Sequence, residues 1–133
     1  MIRVRLIQAL FWLAAVYDGV LGIAFMAAPL WVYDLFNVTP PNHLAYVQFP
    51  AALLVIFALM FVAIAKDPKA NRDLMPYGMG LKVAYCTVAF AYWLAEGIPC
   101  MWKPFVFADV VMLILFLWSY IALDESPAAA AES

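Results

Sequence analysis

Apolar positions fall into four long runs, residues 6–28, 43–65, 77–95 and 104–123, separated by short stretches where proline, asparagine and charged residues gather. Each run is close to the roughly 20 apolar residues that a helix needs to cross a bilayer. The runs are too long and too unbroken for the alternating strands of a membrane barrel, which last about ten residues. In lipid the backbone must satisfy itself, so the pattern predicts an all-α, polytopic membrane protein. The expected architecture is a four-helix transmembrane bundle forming one domain over residues 1–125, followed by a small polar tail, SPAAAAES at 126–133, that is expected to be disordered.

The breaks AAPLW, TPPNH, AKDPKANRDLMP and EGIPCMWKP carry loop chemistry. Asn42 is placed to cap the second helix and Pro104 to open the fourth. The first break continues as PLWVYDLFN, residues 29–37, where a proline precedes Leu30, Trp31, Leu35 and Phe36 set against Asp34 and Asn37. That pattern predicts a short helix in the outer interface, with Trp31 and Tyr33 at headgroup depth. A simple bridge between two spans is favoured over a lid, since aromatic belts are general to membrane proteins. Pro50 removes one backbone hydrogen bond and frees the Tyr46 carbonyl, which predicts a kink in the second span.

Composition agrees with this class and charge adds an orientation. Of 133 residues, 69% are hydrophobic and 12% charged, whereas soluble domains average about 45–50% and about 25%. Arg3 and Arg5 precede the first span and Lys66, Lys69 and Arg72 fill the second connection; the first connection has no lysine or arginine and the third only Lys103. By the positive-inside rule both termini are cytoplasmic. The start MIRVR resembles a secretory signal, but its apolar stretch exceeds the roughly 7–15 residues of a signal core, so it reads as a retained first span. A net charge of −2 with scattered basic residues argues against a nucleic-acid partner. One histidine and no CxxC give no metal-ligand spacing. Cys86 and Cys100 differ in height by roughly 14 Å along a helix and are expected as free thiols. No arrangement of serine or cysteine with a base points to nucleophilic catalysis, so no catalytic residue is assigned.

The candidate chemistry lies in polar residues inside the spans. Asp18 interrupts FWLAAVYDGVLGIAF and shares an i, i+4 row with Ala14 and Gly22, beside Ala15 and Gly19. Small faces are packing faces, so Asp18 is expected to point into the bundle. At a lipid-facing position it would cost about 2.5–3.5 kcal/mol. Its expected partner is Lys82: counted from the cytoplasmic ends, Asp18 lies roughly 18 Å deep and the Lys82 backbone roughly 8 Å, with a side chain that reaches about 6 Å. Lys82, Tyr85, Tyr92 and Glu96 form one stripe along the third span. Nearer the outer face, His43, Tyr92, Glu96 and Asp109 are expected to bound a pocket, although His43 at a helix start is more commonly a cap and the two acids could face headgroups.

Basic residues before the first span, a glycine-containing helix ending at AAPLW, the segment VYDLFNVTPP, three further spans and the loop KDPKANRDLMPYG together resemble the DoxX-like group of small four-helix membrane proteins. The resemblance covers residues 3–123 and lies in hydropathy layout and punctuation. It implies a multi-pass protein of the bacterial inner membrane, with links to quinone-coupled oxidation and to redox or detoxification complexes. It carries over no catalytic residues, and the cysteine-poor spans offer no redox centre of their own.

Three functions follow as expectations. The first is a non-catalytic binding or accessory subunit that holds a quinone, lipid or other apolar molecule, with Asp18, Lys82, Tyr85 and Tyr92 as polar handles; the 17% aromatic content suits it. The second is a proton-coupled small transporter, working as a dimer through Asp18; a homo-oligomer is expected as a partner state. The third is an enzyme resembling the EXPERA sterol isomerases, with Glu96, Asp109 and His43 as acid and base. Against all three stands a purely structural Asp18–Lys82 pair that sets helix register, given equal weight.

Overall fold

The computed structural model describes residues 2–124; the tail expected at 126–133 lies outside them. The described chain is helical: α1 (Ile2–Ala27), α2 (Pro29–Leu35), α3 (Ala45–Lys66), a 3-10 turn (Arg72–Leu74), α4 (Met75–Ala95) and α5 (Trp102–Asp124). Three of these, α1, α3 and α5, are long and apolar enough to cross a membrane. α4 is 21 residues long but carries Lys82, three tyrosines and two glycines, which lower its hydropathy.

Local chemistry explains the boundaries. Pro29 opens α2, and Asn37 closes it in the left-handed region (φ 56°). Its N–H donates to the Asp34 carbonyl and that of Val38 to Tyr33, the geometry of a helix C-terminal cap. α3 starts at residue 45 instead of 43, and the side chain that accepts from the Ala45 N–H is His43, through Nδ1 at 3.1 Å, rather than Asn42. The helix continues through Pro50. α4 stops where Gly97 adopts φ 89°, and both Glu96 and Gly97 donate to the Tyr92 carbonyl at 2.8 Å. α1 begins at Ile2, ahead of the apolar run, because Arg3 and Arg5 are good helix formers.

α1 packs intimately against α3, and α4 against α5. The first contact uses the small row read from the sequence. A Cβ at Gly22 would lie 2.8 Å from the Ala51 carbonyl oxygen, and one at Gly19 would lie 3.4 Å from Ala58 Cβ. Glycine is what lets these backbones approach. On the opposite side of α1, Leu13, Val16, Val20 and Ile23 are all about 60% exposed, while Asp18 is buried. Charge inside and aliphatic side chains outside is the distribution expected of a chain solvated by lipid.

The two ends of the bundle differ. Toward the α1 N-terminus, Phe11, Phe61 and Phe116 are fully buried. Phe11 stacks on Phe116 at 4.6 Å between ring centroids, and Phe61 lies 5.3 Å from Phe116. Gly78 leaves room for the Phe61 ring, which would stand 2.6 Å from a Cβ there. Outside this plug, Arg72 donates to the Tyr120 carbonyl at 3.0 Å and covers the Tyr120 ring at 3.7 Å, tying the basic connection to α5. Toward the α1 C-terminus the helices part around a cavity.

Candidate functional site

Three helices each contribute one charged side chain to the bundle centre. Lys82 on α4 donates to both carboxylate oxygens of Asp18 on α1, at 3.1 and 3.0 Å, and to Asp109 Oδ1 on α5 at 3.1 Å. One ammonium thus bridges two carboxylates from two other helices. Lys82 is fully buried, Asp18 1% exposed and Asp109 7% exposed. The ammonium also lies 5.3 Å from the Tyr17 ring and 5.9 Å from the Phe61 ring. Such a network is held by mutual compensation, since a buried charge that loses its partner is costly.

Asp18, Lys82 and Asp109 also line a cavity of about 470 Å³. Its walls come from the C-terminal half of α1, from Tyr33 of α2, from Tyr46 to Phe57 of α3, from Leu81 to Tyr85 of α4 and from the start of α5. The wall is overwhelmingly apolar and aromatic, and its charged side chains Asp18, Lys82 and Asp109 meet in one cluster. This is the usual composition of a site for a small organic molecule. Tyr85 stacks on Trp102 at 5.5 Å and donates to its backbone oxygen at 3.3 Å, which fixes one wall. The Tyr17 hydroxyl is buried and has no hydrogen-bond partner among the described residues. Outside the spans, burial pushes the Tyr33 phenol above its ordinary pKa, so it remains a hydrogen-bond donor. Among the described residues, no three histidine, cysteine, aspartate or glutamate side chains converge as a metal site.

The Asp18–Lys82 contact expected from the sequence is present, and Tyr85 faces the same cavity. The expected outer pocket of His43, Tyr92, Glu96 and Asp109 does not form. His43 and Glu96 are exposed, Tyr92 is 55% exposed, and none of the three lines the cavity. Asp109 turns inward to Lys82 instead, because the ammonium offers a third donor at its depth. The isomerase arrangement of Glu96, Asp109 and His43 is therefore not assembled. Cys86 is buried and Cys100 exposed, both as free thiols.

Asp109 could have been placed by counting depth from the other face. Asp109 is about 10 Å below the start of α5, Asp18 about 14 Å below the end of α1, and Lys82 about 20 Å below the end of α4, less its reach of about 6 Å. All three then fall within one turn of each other. Tyr17 and Phe105 carried no such signal, since one more aromatic in an aromatic-rich span is unremarked by pattern alone.

No family model, curated protein or solved structure matches the chain.

Proposed function

We propose that the chain is a four-span membrane protein that binds one apolar molecule in this cavity, with the molecule's polar end at the Asp18–Lys82–Asp109 network. It acts as a binding or accessory subunit with no catalytic step of its own. The observation that carries the reading is the cavity itself: a largely apolar space of about 470 Å³ bordered by the buried Asp18–Lys82–Asp109 cluster.

α4 serves as the fourth span in this reading. Its 21 residues extend about 31 Å, matching a hydrocarbon core of about 30 Å. The charge that lowers its hydropathy is turned inward and paired, so lipid does not meet it. The positive-inside rule puts the phenylalanine-sealed end, which carries Arg3, Arg5, Lys66, Lys69 and Arg72, in the cytoplasm together with both termini. The cavity then opens toward the outer leaflet, where Trp31 and Leu35 of α2 are exposed enough to sit in the interface. The DoxX-like resemblance suggests the bacterial inner membrane, a quinone or a lipid as the occupant, and a membrane redox complex as the setting. The transporter alternative would need a route from Asp18 to the basic end, where Phe11, Phe61 and Phe116 stand in the way.

Native mass spectrometry of the protein in mild detergent, with identification of bound lipids and quinones, tests the proposal. Wild type should retain one predominant apolar species, and Ala84→Trp, which fills the cavity from its exposed rim, should lose it. An empty wild type, or equal retention by the variant, would overturn the reading.

A further inference from the structure

The charge inventory at the cavity end determines which molecules suit it. Two carboxyl groups face one ammonium, so acidic groups outnumber cations in the network. The Lys82 ammonium already contacts both Asp18 oxygens and Asp109 Oδ1. Asp109 Oδ2 accepts no hydrogen bond from any described residue, and Asp109 borders the cavity while being 93% buried, the complement of its 7% exposure. The network thus presents an acceptor to the cavity, which suits positive charge or a donor.

The walls favour the same choice. Tyr17, Tyr33, Tyr46, Tyr85, Trp102 and Phe105 surround the space. Among the described residues the other elements bordering it add no charge: α2 and α3 contribute the phenols Tyr33 and Tyr46 as titratable groups, and the charged residues of the lining are Asp18, Lys82 and Asp109. Aromatic faces attract cations through their quadrupoles, more strongly where water is excluded, and are the recurring means of holding quaternary ammonium groups. An anionic head would meet two carboxylates around a single ammonium that already contacts both, at a separation where like charges repel strongly.

We infer that the cavity selects amphiphilic cations, an apolar body bearing an onium or protonated amine head that approaches Asp109, and disfavours lipophilic anions of the same shape. The inference rests on the binding role proposed above and specifies its ligand class. The ligand's aromatic or aliphatic body packs against the apolar wall, and its head places a second cation beside the two acidic groups.

The test uses the full chain in neutral detergent and two ions of nearly identical size and shape, tetraphenylphosphonium and tetraphenylborate, in equilibrium dialysis. The cation should bind about tenfold or more tightly than the anion. Asp109→Asn should lower cation affinity about tenfold while leaving the Asp18–Lys82 pair to hold the fold, and Ala84→Trp should abolish binding. Equal or tighter anion binding by wild type overturns the inference without recourse to any variant. If binding of either sign is blocked by Ala84→Trp, the binding role survives that failure. If only a neutral molecule binds in the cavity, the inference falls and the role stands; if nothing binds in a form sensitive to Ala84→Trp, both fall.

Discussion

Replacing Lys82 with methionine removes the three hydrogen bonds that join α1, α4 and α5 and leaves two carboxylates facing each other across the space of the lost ammonium. Breaking a buried ion pair from one side costs about 3–5 kcal/mol. For a chain of this size that corresponds to a fall in Tm of roughly 10–20 °C. Asp18→Asn should cost less, because Lys82 keeps Asp109, and Asp109→Asn least, since it accepts one bond against the two accepted by Asp18 and is slightly less buried. The triple variant Asp18→Leu, Lys82→Met, Asp109→Leu strands no charge and should recover most of the loss, as apolar replacements of buried networks commonly do. The assay is thermal unfolding in one detergent, followed by tryptophan fluorescence and by loss of the monodisperse peak on size exclusion. A triple variant no more stable than Lys82→Met would refute the view that these three side chains compensate one another. A flat series, with every variant close to wild type, would refute the burial argument altogether.

Other outcomes follow from the packing. Gly22→Val should lower stability by about 1–3 kcal/mol, measured in the same assay, because any Cβ there meets the Ala51 carbonyl. Phe116→Ala should cost about 3–5 kcal/mol and open the phenylalanine plug, so that a water-soluble maleimide applied from the side of Arg3 and Arg5 reaches the thiol of an Asp18→Cys variant. Tyr92→Phe and Glu96→Gln should leave ligand retention in native mass spectrometry unchanged, as neither side chain borders the cavity. In intact cells expressing the protein, a membrane-impermeant maleimide should label Cys100, which is exposed, and spare the buried Cys86; labelling of Cys100 only after the membrane is permeabilised would contradict the proposed orientation.

Membrane class, the helical runs and the small face of α1 were legible because they depend on local quantities: run length, hydropathy and the three-to-four-residue spacing of Ala14, Asp18 and Gly22. Asp18 and Lys82 were legible as partners because a charge inside a span is costly enough to demand one. His43, Tyr92 and Glu96 were misplaced because depth along a helix says nothing about azimuth, and near a helix end a side chain can turn to headgroups as readily as inward. Asp109 was misplaced for a related reason: its destination is decided by a donor on another helix. The amino-acid sequence by itself thus determined the solvent, the elements and the existence of a buried polar site. Only the tertiary structure decided that the site has three members, that its spare oxygen borders a cavity, and that phenylalanines seal the other end, because these depend on how α1, α3, α4 and α5 are rotated about their axes, and that rotation is set by side chains far apart in sequence.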